Sequence, residues 1–176
     1  MASKELLQAQ FTDATDELLR MLQSLTQEEL NTVPFEGSWT AGQLGEHLLR
    51  AYGVTEVLKG AVEPTQRPPD QKVEEVKQLF LDFNIKMKSP QAVLPQASTN
   101  DKNKLIPALK IRVEEMAEVL ENYDLSMTCK EFAIPEYGPF TRLEWLWFNT
   151  IHTQRHIHQL KNIVKSLRVV TPEDRK

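Results

Sequence analysis

The chain holds four histidines, and their spacing is its first chemical signal. Three lie in the stretch IHTQRHIHQLKNIV, as His152, His156 and His158; the fourth, His47, stands far upstream. On an α-helix each residue advances about 100°, so His152 and His156 end about 40° apart, one turn from each other on one face. Gln159, Trp145 and Phe148 fall on the same face. His158 sits about 200° from His156 and is left out of any shared site. Two imidazoles one turn apart can share an ion, and His47 offers a third ligand. Three neutral imidazoles with an open position are a catalytic arrangement for zinc, and imidazole also suits nickel, copper, iron and cobalt. The competing reading is three packed histidines satisfied by neighbouring hydrogen-bond partners. HTQRH places Thr153, Gln154 and Arg155 between the histidines. It therefore lacks the glutamate that a zinc-peptidase helix carries there.

The elements that must position these side chains read as helices. Glycine is scarce, and apolar residues recur every three or four positions in long blocks, which predicts an all-α protein. A first helix is expected over about 4–31, with Leu7, Phe11, Leu18, Leu22 and Leu25 as its stripe and Pro34 and Gly37 beyond its end. A second begins at Thr40, which has capping-box spacing to Gln43, and ends near Gly60 and Pro64. His47 falls between Leu44 and Leu48 on its buried side. A shorter helix is expected over about 70–87, through Val73, Val76, Phe80, Phe83 and Met87, between two irregular connectors. A further helix spans about 101–122, with Pro107 tolerable only near its start. AIPEYGPF reads as a turn-rich link. The last helix starts at Thr141, spaced for a capping box with Glu144, and runs to about 168. The predicted architecture is a four-helix bundle with an additional short helix between the second and third long ones. One domain over 1–176 is expected, with a short flexible tail at about 169–176.

Composition bounds the function. The 176 residues are 40% hydrophobic and 26% charged, with a formal net charge of −4. That balance weighs against broad nucleic-acid binding, which needs a concentrated basic surface. No window has the apolar length of a membrane span, and acidic residues interrupt the apolar runs at the amino terminus, against a targeting segment. A single cysteine, Cys129, forms no internal disulfide, so a reducing cytoplasm is the expected setting.

Other residues carry weaker signals. Glu46 adjoins His47 but points about 100° away around the helix; it is a weak general-base candidate beside a reading as a solvated carboxylate. Gln159 is a candidate for orienting a ligand or a water through its amide. Glu136 and Tyr137 lie in the link before the last helix, where they can rim a pocket. Trp39, Trp145 and Trp147 are read as core, with Trp145 also a candidate pocket wall. Cys129 is read as a packing residue rather than a nucleophile.

Three segments together resemble the DinB-like superfamily. SWTAGQLGEHLLRA is similar to its W-[ST]-x-x-[EQ]-x-x-x-H pattern. GPFTRLEWLWFNTIHTQRHIHQL is similar to its closing H-x-x-x-H-x-x-Q pattern, and MKSPQAVLP is similar to its connector. The resemblance covers nearly the whole chain in helix order and length. It implies a four-helix bundle, commonly a homodimer, with a divalent metal held at His47, His152 and His156. It also implies kinship to thiol-dependent transferases that use bacillithiol, mycothiol or glutathione, and to a mycothiol-dependent isomerase; nucleic-acid binding is not implied. The expected function is accordingly a metal-dependent enzyme of thiol-transferase type, with zinc or nickel and a low-molecular-weight thiol as cofactors and a small molecule as substrate. A metal-dependent hydrolase and a non-catalytic metal- or ligand-binding dimer are the alternatives.

Overall fold

The computed structural model describes residues 4–169. Seven helices and three strands are found among them. The helices are α1 (Lys4–Ser24), α2 (Gln27–Asn31), α3 (Ala41–Ala51), α4 (Thr55–Lys59), α5 (Val73–Leu81), α6 (Lys102–Asn122) and α7 (Arg142–Val169). The strands β1 (Val62–Glu63), β2 (Thr128–Ile134) and β3 (Gly138–Thr141) form one antiparallel sheet in the order β1-β2-β3. The fold is mostly helical, as the patterning predicts. The simple picture of four helices plus one is corrected by two further short helices and by the sheet. The expected tail lies, from residue 170 on, outside the described residues. No helix among the described residues is long and apolar enough to cross a membrane.

Each departure has a local cause. The helix expected over 4–31 breaks after Ser24, because Thr26 starts a new one. Its hydroxyl accepts from the Glu29 N–H at 3.1 Å, and the Glu29 carboxylate accepts from the Thr26 N–H at 2.8 Å. That reciprocal cap satisfies two helix-end donors at once. The second long block yields to a 3₁₀ turn at Tyr52–Val54 before resuming as α4. The helix expected over 70–87 is shorter, and Phe83 and Met87 are exposed beyond it. Arg155 of α7 donates to the carbonyls of Phe80 (2.8 Å), Asp82 (3.1 Å) and Ile85, placing a cation where the last carbonyls of α5 need partners. The turn-rich link is a β-hairpin. Its corner holds Glu136 and Gly138 at φ of 77° and 69°, a left-handed geometry that glycine adopts without strain.

Two expected caps are present. Thr40 and Gln43 close a capping box at 3.0 and 3.1 Å, and Thr141 and Glu144 close another at 2.9 and 3.1 Å. Asp101 caps α6 by accepting from the Asn103 N–H, so Pro107 sits in the first third of that helix.

The four long helices build the core. α1 lies against α7 and α6, and α3 against α6 and α7. Leu7, Leu18 and Leu22 of α1 meet Leu44 and Leu48 of α3, Leu109 and Met116 of α6, and Leu146 and Leu160 of α7 in one buried cluster. Each such side chain contributes about 1.5–3 kcal/mol on burial. Gly45 sets how closely α3 approaches α6, because a Cβ there would lie 2.9 Å from the Leu105 side chain. α3 is thereby held against the bundle with His47 facing inward.

At the start of α7 a buried acid ties the connectors together. Glu144 is 2% exposed and forms a bidentate pair with Arg67, both oxygens at 2.6 Å. It also accepts from the Lys72 N–H at 2.9 Å. Arg67 and Lys72 reach on to the Pro139 carbonyl of β3. This clamp fixes residues 67–72 against the hairpin.

Candidate metal centre

α3 contributes His47, and α7 contributes His152 and His156. All three are buried, at 1%, 8% and 7% exposure. The His152 Nε2 lies 3.1 Å from the His47 Nε2 and 3.0 Å from the His156 Nε2. The helical spacing that places His152 and His156 on one face thus also turns them toward the ring from α3. His158 is exposed and stacks on Phe83 with ring centroids 4.0 Å apart, apart from the other three.

Hydrogen bonds settle two of the three tautomers. The His47 Nδ1–H donates to the Val93 carbonyl at 2.8 Å, and the His156 Nδ1–H donates to the Gln159 side-chain carbonyl at 2.9 Å. Each leaves a bare Nε2 facing inward. The His152 Nδ1 is buried without a partner, so the tautomer of this ring is not fixed from outside. Protonated at Nε2, it donates to one neighbour at a time; protonated at Nδ1, it leaves three lone pairs converging.

That donor set fits a divalent cation. Metal–imidazole bonds of about 2.0–2.1 Å require nitrogens about 2.9 to 3.4 Å apart, from right-angled to tetrahedral arrangements. The observed 3.0 and 3.1 Å lie within that range. Burial also holds the imidazoles neutral, the state that coordinates. Desolvation lowers the pKa of His47 against the opposing Val93 hydrogen bond. It carries His152 well below its ordinary value, helped by His156 and His47, and His156 down to about 3. The three side chains form a His-based site capable of binding a divalent metal.

Aromatic rings enclose the cluster. Phe148 stacks on His152 at 5.7 Å, and Phe80 meets the same ring edge-on at 5.9 Å. Trp39 lies 5.1 Å from His47 and 6.5 Å from His156, ring to ring. Trp39 is only half-buried, so its expected place in the core is corrected to a wall of the site. It immediately precedes the cap of α3, Thr40, and the path of the loop that brings it there would have been needed to recognise it. Trp145 is buried one ring away, 5.7 Å from Phe148, and Trp147 is buried too. Tyr137 packs on Phe140 in the hairpin, with Glu136 at its corner. Cys129 is fully buried, and desolvation pushes its thiol up to about 11.

Glu46 is not a solvated carboxylate. Its oxygens accept from the backbone N–H groups of Gln96 at 2.9 Å and Ala97 at 3.1 Å, with Arg50 at 3.3 Å. Burial alone would raise its pKa; these three donors outweigh it and hold the group below its ordinary value. The Val93 carbonyl, which no side-chain motif announces, is the functional group that sequence reasoning missed.

The family model described as DinB superfamily matches residues 10–160, a span that contains all three histidines, Gln159 and the Val93 connector. No curated protein and no solved structure matches the chain. With a match over most of its length and the histidine cluster built from both ends of that span, the chain belongs to the DinB superfamily.

Proposed function

We propose that His47, His152 and His156 are the ligands of a divalent metal, zinc or nickel, in a metal-dependent enzyme of thiol-transferase type. The observation that carries this reading is the convergence of three Nε2 atoms from two distant helices at 3.0 and 3.1 Å. A cation held there supplies Lewis acidity, lowering the pKa of a thiol or water that reaches it. The protein's own part is to present neutral imidazoles, to fix two of them through Val93 and Gln159, and to exclude bulk water with Trp39, Phe80 and Phe148. Those rings favour a sulfur group over a hydrated oxygen, because thiol and thioether sulfur packs well on aromatic edges. In the transfer, the sulfur of a low-molecular-weight thiol forms a bond to an electrophilic carbon, its proton passes to solvent, and the substrate's leaving group departs.

We include in this reading one domain over 1–176, arranged as a DinB-like four-helix bundle and acting as a cytoplasmic homodimer on a small molecule. The family resemblance supports the bundle and the dimer. The mutual packing of the four long helices around one core supports the first two of these.

The test is a screen of metal-loaded, untagged protein with low-molecular-weight thiols and electrophiles, read by mass spectrometry of the adduct. Metal-dependent thioether formation is expected. Ester or amide hydrolysis with no thiol adduct would instead identify a hydrolase. A metal that stays bound with neither reaction would identify a binding module, a reading that the depth of the triad favours.

A further inference from the structure

The connector between α5 and α6 supplies the Val93 carbonyl that orients His47, yet it has little to hold it in place. Its 3₁₀ turn, Gln91–Val93, contains no buried residue. Residues 94–97 are half-buried or exposed. Apolar burial therefore does not fix the height of this carbonyl above α3. Hydrogen bonds do. The Glu46 carboxylate grips the N–H groups of Gln96 and Ala97, three and four residues beyond Val93. Gln43, one turn before His47, adds a longer bond from its side-chain amide to the Ala97 carbonyl at 3.4 Å. The next tether along the chain is Asn31, which exchanges two hydrogen bonds with the backbone of Asn100.

We propose that Glu46 is a positioning residue for the metal centre. Its carboxylate holds residues 96–97 against α3, this places the Val93 carbonyl on the His47 Nδ1–H, and that bond keeps the His47 Nε2 bare and turned inward. Glu46 and His47 are neighbours in sequence and point in different directions around the helix. One strand of connector crosses both, so adjacent residues clamp it at two points. With both oxygens engaged by backbone donors, the carboxylate acts through the connector rather than on a substrate. Partners that orient a ligating imidazole are worth about 10–100-fold in metal affinity. The consequence for affinity rests on the metal reading above; the orientation of His47 does not.

The experiment has two arms on the full chain. In metal-free protein, the side-chain nitrogen and proton resonances of His47 report its tautomer. In the second arm, zinc affinity is measured by competition with a chromophoric chelator. Glu46→Ala is expected to lose the hydrogen-bonded Nδ1–H signal of His47 and about 10–100-fold in zinc affinity. Glu46→Gln, which keeps one carbonyl acceptor, should fall between Glu46→Ala and the unaltered protein; it decides the matter if Glu46→Ala does not fold. Arg50→Ala removes the ion pair but not the clamp, and should leave both readouts unchanged. A folded Glu46→Ala protein with an intact His47 signal would overturn the proposal. So would Arg50→Ala matching its losses, since the charge around α3 would then be the cause. If the unaltered protein binds no zinc, the metal reading fails, and the resonance arm alone decides the role of Glu46.

Discussion

Glu144 and His152 are both buried polar side chains of α7, and the protein treats them in opposite ways. Glu144 has every acceptor taken: Arg67 on both oxygens, the Lys72 N–H, and the Thr141 N–H. His152 has an unpartnered Nδ1, while its Nε2 faces two nitrogens that themselves present lone pairs. A buried charge that is fully paired is a structural clamp, and removing one partner is costly. A buried group whose surroundings leave it unfinished costs stability and is kept for what completes it. The first pattern marks how the fold is tied, and the second, among these histidines, is one that a divalent metal would complete.

Four substitutions or probes break or sharpen that contrast. The largest effect is expected at His152, the ring that stands between the other two. His152→Leu should abolish stoichiometric metal binding by elemental analysis. It should leave the thermal midpoint of the metal-free protein unchanged or raise it, because an apolar side chain replaces a polar group without a full set of partners. A large loss of stability in the metal-free protein would erase the distinction from Glu144. Glu144→Ala should do the reverse. It is expected to cost about 3–5 kcal/mol by denaturant unfolding, since it leaves the Arg67 guanidinium without its partner. Metal affinity in the protein that remains folded should be unchanged.

Smaller effects follow. Gln159→Ala frees the His156 ring to rotate or change tautomer and should weaken metal binding about 10–100-fold with little change in stability. Titration of Cys129 sharpens the contrast from the structural side. Its folded-state pKa is raised by desolvation to about 11, so the thiol stays protonated and shielded. Stability is then fully present below the thiol's unfolded value and falls as pH rises from there toward the folded one. Alkylation near pH 8 should proceed only on unfolding, and rapid native-state labelling would contradict the burial.

What was legible in the sequence follows from which interactions are local. The shared face of His152, His156 and Gln159 is set by helical periodicity alone, and the structure keeps it. His47 was legible because it interrupts an apolar stripe between Leu44 and Leu48, and that stripe is buried. α6 was legible from apolar residues recurring every three or four positions, and the cap of α3 from the spacing of Thr40 and Gln43; the Asp101 cap of α6 was not read. The sheet was not, because β2 buries Cys129 and leaves most of its residues exposed, so no period-two alternation is written into TCKEFAI. The break at Thr26 was present as TQEE but was masked by apolar spacing continuous across it. The Val93 carbonyl and the Arg67–Glu144 pair depend on connectors whose path no local pattern encodes. Tethers of that kind emerge only when the chain is folded.

The central claim is that imidazoles from α3 and α7 close on one ion. Its most direct test is the metal content of untagged protein beside a His47→Ala, His152→Ala double variant, both confirmed to be folded. The account predicts one divalent ion per chain in the first and none in the second. Equal metal content in the two proteins would contradict it.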